Sequence, residues 1–127
     1  FTGYATGKTK AVLLSMASFV CLPSIVDSSG DSEGLPVVLM EALAYKKVVL
    51  ASDASGGELI INTGKNGFIF KQKDPRSLLN ILRHVLSLDK QSISKLRLAS
   101  YDLALSFEWK AVANKHLEFF NINHFLR

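Results

Sequence analysis

Short runs of β-branched and aromatic residues alternate along this chain with longer stretches of helical spacing. That alternation is the pattern of βα units, and it constrains the fold to an α/β class with a parallel sheet. The spacing predicts strands at residues 18–22, 48–51 and 67–70, bounded by Pro23-Ser24, Ser52-Asp53, Asn66-Gly67 and Lys73-Asp74-Pro75. The runs are continuously apolar rather than alternating, as expected of strands covered on both faces. Helices are predicted at residues 36–45, with Pro36 in the first turn, and from Asp74-Pro75 as N-cap and N1, with an apolar face of Leu78, Leu82, Val85 and Leu86. A further helix is expected at 93–105. Ser106 is read as the N-cap of a last one, whose stripe includes Trp109, Val112, Leu117 and Phe120. Trp109 is most simply a core residue.

At 127 residues, with 48% hydrophobic and 20% charged residues and eight Phe, the chain has the bulk of one compact unit and too much apolar surface for a disordered one. No apolar run approaches the roughly 18 residues of a membrane-spanning helix. The net charge of +4 is scattered, with only Lys46-Lys47 adjacent, which is no nucleic-acid footprint. The single cysteine, Cys21, is expected to be a small buried hydrophobe in a reducing compartment, with the cytoplasm as default. The chain opens at Phe1 without Met or a basic-then-apolar leader, so the expectation is a piece of a longer protein.

Gly3-Tyr4-Ala5-Thr6-Gly7-Lys8-Thr9 resembles a phosphate-binding P-loop, but only three residues separate its glycines where four are needed. A strand end followed by a helix start is the simpler reading. His84, His116 and His124 are far apart in sequence and suit helix faces.

The stretch from Ser24 to Ala44 is more informative. A polar loop leaves the carboxyl end of a strand and enters a helix, where open α/β sheets bind ligands and where amides and helix dipole attract phosphate. Gly34 would let the backbone approach a ligand closely. Were residues 33–41 all helical, Glu33 and Glu41 would lie about 12 Å apart along the axis, a span suited to a sugar–diphosphate–ribose ligand. The bland alternative is that Glu33 merely complements the helix dipole and Glu41 is solvated. Glu41, however, stands among Val37, Val38, Met40, Ala42, Leu43 and Ala44, and a carboxylate in that setting needs a partner.

At these residues the sequence resembles the nucleotide-sugar-binding, C-terminal half of GT-B glycosyltransferases, in particular the retaining family 4, or glycosyl transferases group 1. The family's Glu-x7-Glu motif stands as Glu33-Gly34-Leu35 through Glu41-Ala42-Leu43-Ala44, after a strand ending in Leu22-Pro23-Ser24. Gly56-Gly57-Glu58-Leu59-Ile60, Asn66-Gly67-Phe68-Ile69-Phe70 and Ser106-Phe107-Glu108-Trp109 resemble its later signals in the same order.

The resemblance implies a Rossmann-like sheet, N-terminally incomplete, with residues 1–106 a partial donor-binding domain and 107–127 its closing helix. It implies that Glu41 accepts hydrogen bonds from the donor's ribose and that Glu33 meets the transferred sugar as the catalytic residue. The donor site would comprise Ser24, Glu33, Gly34, Leu35, Pro36, Val37 and Glu41, with Gly34, Leu35 and Val37 offering amides that Pro36 lacks. The implied reaction is retaining transfer of a hexosyl, for example mannosyl, group from a UDP-, GDP- or ADP-linked donor to a growing glycan, such as lipopolysaccharide core or another cell-envelope polysaccharide. No cofactor and no essential metal are implied, so Asp31-Ser32-Glu33 need not be a metal site. Acceptor binding and peripheral contact with the inner face of the membrane would belong to an N-terminal domain, and the fragment alone should be inactive. A phosphorylase or epimerase of similar architecture, and a non-catalytic α/β nucleotide-binding or interaction module, are the competing readings.

The chain departs from the family pattern where Lys46 replaces Gly and Val48 replaces Pro, so the first motif helix must end without its usual left-handed glycine. The interval from Gly56-Gly57 to Glu58 is also shorter than in the family. The basic pair that grips the diphosphate would precede Phe1. In the family strand order 3-2-1-4-5-6, residues 1–3 would form the third strand. Its inner neighbours would be missing, which exposes an edge at residues 18–22 and predicts self-association or a loose N-terminal segment.

Overall fold

The computed structural model describes residues 1–26, 28 and 34–120. Helix α1 (Gly7–Met16) leads into strand β1 (Phe19–Leu22), and α2 (Val37–Ala44) leads into β2 (Val48–Ser52). A 3-10 turn (Gly57–Leu59) precedes β3 (Gly67–Phe70), after which come α3 (Pro75–Ser87), α4 (Lys90–Leu105) and α5 (Trp109–Phe119). The strands form a parallel sheet in the order β1-β2-β3, with Cys21 opposite Leu50 and Leu50 opposite Phe68. All three strands thus lie within a residue of their predicted places, and the parallel α/β class holds.

The central strand is buried throughout, which explains its unbroken apolar run. Its side chains alternate between two cores. Val49 and Ala51 meet Leu39, Ala42 and Leu43 of α2, while Val48 and Leu50 meet Phe68, Phe70 and residues of α3 and α4. Burying a Leu such as Leu39 or Leu43, each about 1% exposed or less, contributes roughly 1.5–3 kcal/mol. The α2 layer therefore fixes that helix firmly against the sheet.

Several boundaries differ from expectation for local reasons. Asp74 caps α3 through the amides of Arg76 and Ser77, as predicted, but Leu86 points outward and only Val85 of its neighbours is buried. Helix α4 starts at Lys90 rather than at 93, because Asp89 accepts the Ser92 amide at 2.7 Å and caps it earlier. Ser106 does not cap the last helix. Its hydroxyl turns back to the Leu103 carbonyl at 2.7 Å at the end of α4, and Glu108 occupies the cap position of α5. Trp109 is 89% exposed rather than core, because α5 buries none of its residues.

Residues 1–3 form no strand. Gly3 has φ +67, which turns the chain out of the extended region, and among the described residues no strand pairs with the segment. The P-loop-like segment is likewise no loop around an anion: its second half, from Gly7, is the first turn of α1. His124 lies outside the described residues, and His116 bonds the Val112 carbonyl of its own helix at 2.9 Å. Cys21 is half-buried on the α3 side of the sheet, where burial pushes its thiol pKa up.

Candidate functional site

The carboxyl edge of the sheet is built by three strand exits tied to one another. The Ser52 hydroxyl donates to the Ser24 carbonyl at 2.7 Å, joining the ends of β2 and β1. The Asp53 amide donates to the Phe70 carbonyl at 2.9 Å, and the Gln72 amide donates back to the Asp53 carboxylate at 2.8 Å. Gln72 then accepts the Val26 amide at 2.9 Å. The start of the long loop is thereby anchored to both other strands.

That loop delivers the chain to α2. Glu33 and the Asp31-Ser32-Glu33 cluster lie outside the described residues. Gly34 and Leu35 are exposed and not helical, and Pro36 is the N-cap of α2, one place ahead of its predicted helical position. Residues 34–36 are therefore not helical, and the helical rise assumed between Glu33 and Glu41 does not describe this stretch. Pro36 has no side-chain oxygen, and among the described residues no side chain caps the start of α2. The Pro36 carbonyl accepts the Leu39 amide at 3.1 Å. Val37, 72% exposed, stands at the first helical position.

A methyl group at Gly34 would meet nothing within 4 Å among the described residues, whose packing does not demand glycine there. The other two glycine motifs are different. A Cβ at Gly57 would come within 2.9 Å of Ala51 Cβ and Ser55 Oγ, and one at Gly67 within 2.7 Å of the Val49 carbonyl oxygen. Gly56 has φ +68 at the start of the 3-10 turn. Asn66 is buried, accepting the Asn62 amide at 2.7 Å and donating to the Ile60 carbonyl at 3.1 Å. These two signals are thus explained by packing and loop closure. Glu58 is exposed in the turn.

Glu41 stands midway along α2 and is partly buried. Its partner is Lys10 of α1, whose ammonium lies 2.6 Å from Oε1. Glu41 Oε2 has no partner among the described residues. The two side chains retain 41% and 29% exposure, and a pair this accessible contributes only about 0–1 kcal/mol to stability. Its larger consequence is geometric, since it fixes where the carboxylate points.

Lys10, the partner of Glu41, is a residue the sequence reading did not single out. It lies 31 positions from Glu41, beyond any local spacing rule; the signal in the sequence is that a carboxylate in an apolar helix needs a partner. A second link, from Lys47 Nζ to the Ser15 carbonyl at 2.8 Å, ties α1 to the end of α2.

A cleft of about 240 Å³ opens at the same edge on the α3 side, lined by Pro23, Ser24, Phe70, Gln72 and Leu78 among others. Of the predicted donor residues it includes Ser24, whereas Glu41 lies in the α2 layer across the sheet. Among the described residues, no three of His, Cys, Asp and Glu are grouped so as to hold a metal ion, and no helix is long and apolar enough to cross a membrane.

The chain is similar to several known proteins. WcaL of Salmonella typhimurium, named for a glycosyltransferase role in colanic acid biosynthesis, is 30% identical over 111 residues, covering 87% of this chain and 27% of its own length. A glycosyltransferase structure from Rickettsia africae superposes with a TM-score of 0.75 at 20% identity, over 92% of this chain and 30% of that one. Anabaena HepE, crystallised with UDP, gives 0.67 at 21% identity, over 88% of this chain and 29% of that one. The chain spans about a quarter of the length of WcaL. The fold is that of a GT-B Rossmann-like unit. The family model of glycosyl transferases group 1 matches residues 1–100, and the chain belongs to that family.

Proposed function

We propose that this chain is the donor-binding part of a retaining glycosyltransferase that moves a hexosyl group, for example mannosyl, from a UDP-, GDP- or ADP-linked sugar to a growing cell-envelope glycan such as lipopolysaccharide core. Residues 1–106 form part of the donor domain and 107–127 its closing segment. Glu41 accepts ribose hydroxyls. Glu33 meets the transferred sugar, Ser24 lines the strand exit, and the amides of Gly34, Leu35 and Val37 face sugar hydroxyls or phosphate around the kink at Pro36.

The observation that carries this reading is Glu41: a partly buried carboxylate on the helix entered from the carboxyl end of β1, with one oxygen held and the other unpartnered among the described residues. A carboxylate is acceptor-only, so it suits vicinal hydroxyls. The amides at the start of α2, which no side chain caps among the described residues, suit the charge that grows on a departing diphosphate when the anomeric C–O bond breaks. In the retaining course the acceptor attacks the same face that the diphosphate leaves, and the leaving phosphate takes the acceptor's proton. Acceptor contacts and peripheral membrane association at the cytoplasmic face are assigned to a separate N-terminal domain. The UDP bound by HepE and the glycan named for WcaL support the donor and acceptor classes.

Thermal-shift titration of the intact protein with UDP, GDP and ADP tests this. At about 100 times Kd, the correct diphosphate should add roughly 2.7 kcal/mol to wild type and little to Glu41→Ala. Stabilisation by none of the three would contradict the reading.

A further inference from the structure

Glu41 reaches its position through another helix. Lys10, in the first half of α1, places its ammonium 2.6 Å from Glu41 Oε1, and both side chains are partly withdrawn from water. The ordering of the two helix links shows what this contact does. Lys10 of α1 meets Glu41 of α2, and Lys47, in the turn between α2 and β2, meets the Ser15 carbonyl of α1, so two side-chain links join α1 to this βα unit. The Lys47 link, to a backbone carbonyl, ties the end of α1 to the turn that follows α2. The Lys10 link ends on the one carboxylate of α2 and so determines the rotamer of that carboxylate as well as the helix spacing.

We propose that Lys10 is a positioning residue for nucleotide recognition: by occupying Oε1 it orients the Glu41 carboxylate so that Oε2 is presented to the ribose hydroxyls of a nucleoside diphosphate. This rests on the reading of Glu41 as the ribose acceptor. Without the ammonium, a glutamate with three rotatable side-chain bonds can turn toward water, and the ribose must then recover that freedom on binding. A side chain held in place before the ligand arrives avoids that cost. The effect should therefore fall on hydroxyl recognition specifically and leave phosphate contacts alone.

The test compares calorimetric Kd values of the intact protein for UDP, GDP and ADP with those for their 2′,3′-dideoxy counterparts. Wild type should favour the ribose form of its nucleotide by about tenfold or more, the scale of a hydrogen bond to a charged group. Lys10→Met, which keeps the aliphatic stem, should narrow that ratio to about threefold or less while leaving the dideoxy affinity unchanged. Lys10→Arg should restore the preference, and Lys47→Met, which cuts only the other tie, should not alter it. Lys10→Gln is measured in parallel and carries the same expectation as Lys10→Met should the latter fail to fold. A wild-type ratio retained in Lys10→Met, or an equal loss for ribose and dideoxy forms, would overturn the proposal and leave Lys10 a clip between helices. A wild type that binds diphosphate but ignores the ribose hydroxyls would overturn the Glu41 reading itself, and this proposal with it.

Discussion

Lys46 carries its ammonium 4.3 Å from the centre of the Tyr101 ring on α4 while its own backbone lies in the left-handed region at φ +57. The helix end around it is a Schellman motif: the Lys46 amide bonds the Leu43 carbonyl at 2.9 Å and the Lys47 amide bonds the Ala42 carbonyl at 3.0 Å. The family's glycine is absent, yet the left-handed turn is made in the same place.

The left-handed residue costs roughly 1–2 kcal/mol relative to glycine, and a cation over an exposed ring returns about 0.5–1 kcal/mol. Lys46→Gly should accordingly be more stabilising in a Tyr101→Leu background than in wild type, by about the worth of the ring contact. Chemical denaturation of the four proteins checks this. Equal changes in both backgrounds would show that the ring contributes nothing.

Glycines 34 and 67 should separate ligand binding from folding. Gly67→Ala drives a Cβ against the Val49 carbonyl oxygen in the central sheet and should destabilise by about 3 kcal/mol. Gly34→Ala meets no atom of the described residues within 4 Å, so its melting temperature should shift little, within about 0.5 kcal/mol of stability. Its affinity for the diphosphate should nonetheless fall. Melting and titration on both variants measure the contrast.

Asp89 makes a pH prediction whose sign is fixed. The Ser92 backbone amide and hydroxyl hold its carboxyl below the ordinary 3.8. The folded state thus prefers the ionised form, and the cap's contribution is present above the unfolded value and is lost as pH falls through the folded one. Melting temperature followed from pH 6 to pH 2 should drop less steeply below about pH 4 in Asp89→Ala than in wild type.

The features legible in the sequence were those set by nearest neighbours. Continuous runs gave β2 and β3 because both faces of those strands are covered, and Asp74-Pro75 announced α3 because cap and first helical residue are adjacent. The glycines in Gly56-Gly57 and Asn66-Gly67 were visible as signals, but only the packing against Ala51, Ser55 and Val49 shows them to be steric requirements. Ser106 was misread because a hydroxyl can close the helix behind it as readily as open the one ahead, and the bond to Leu103 decides. Trp109 is expected in the core from its type and its place in an apolar stripe, but no element covers that stripe closely enough to bury any residue of α5. At the candidate site, the need of the Glu41 carboxylate for a partner is legible from its apolar neighbours, whereas the identity of that partner, Lys10, depends on how the fold brings α1 to α2.

The most direct measurement is a crystal structure of the intact protein with its nucleoside diphosphate. The account predicts ribose hydroxyl oxygens within about 2.6–3.2 Å of Glu41, with Lys10 still on Oε1 and phosphate oxygens facing the amides at the start of α2. A diphosphate bound elsewhere on the sheet edge, with Glu41 making no contact to the ribose, would contradict it.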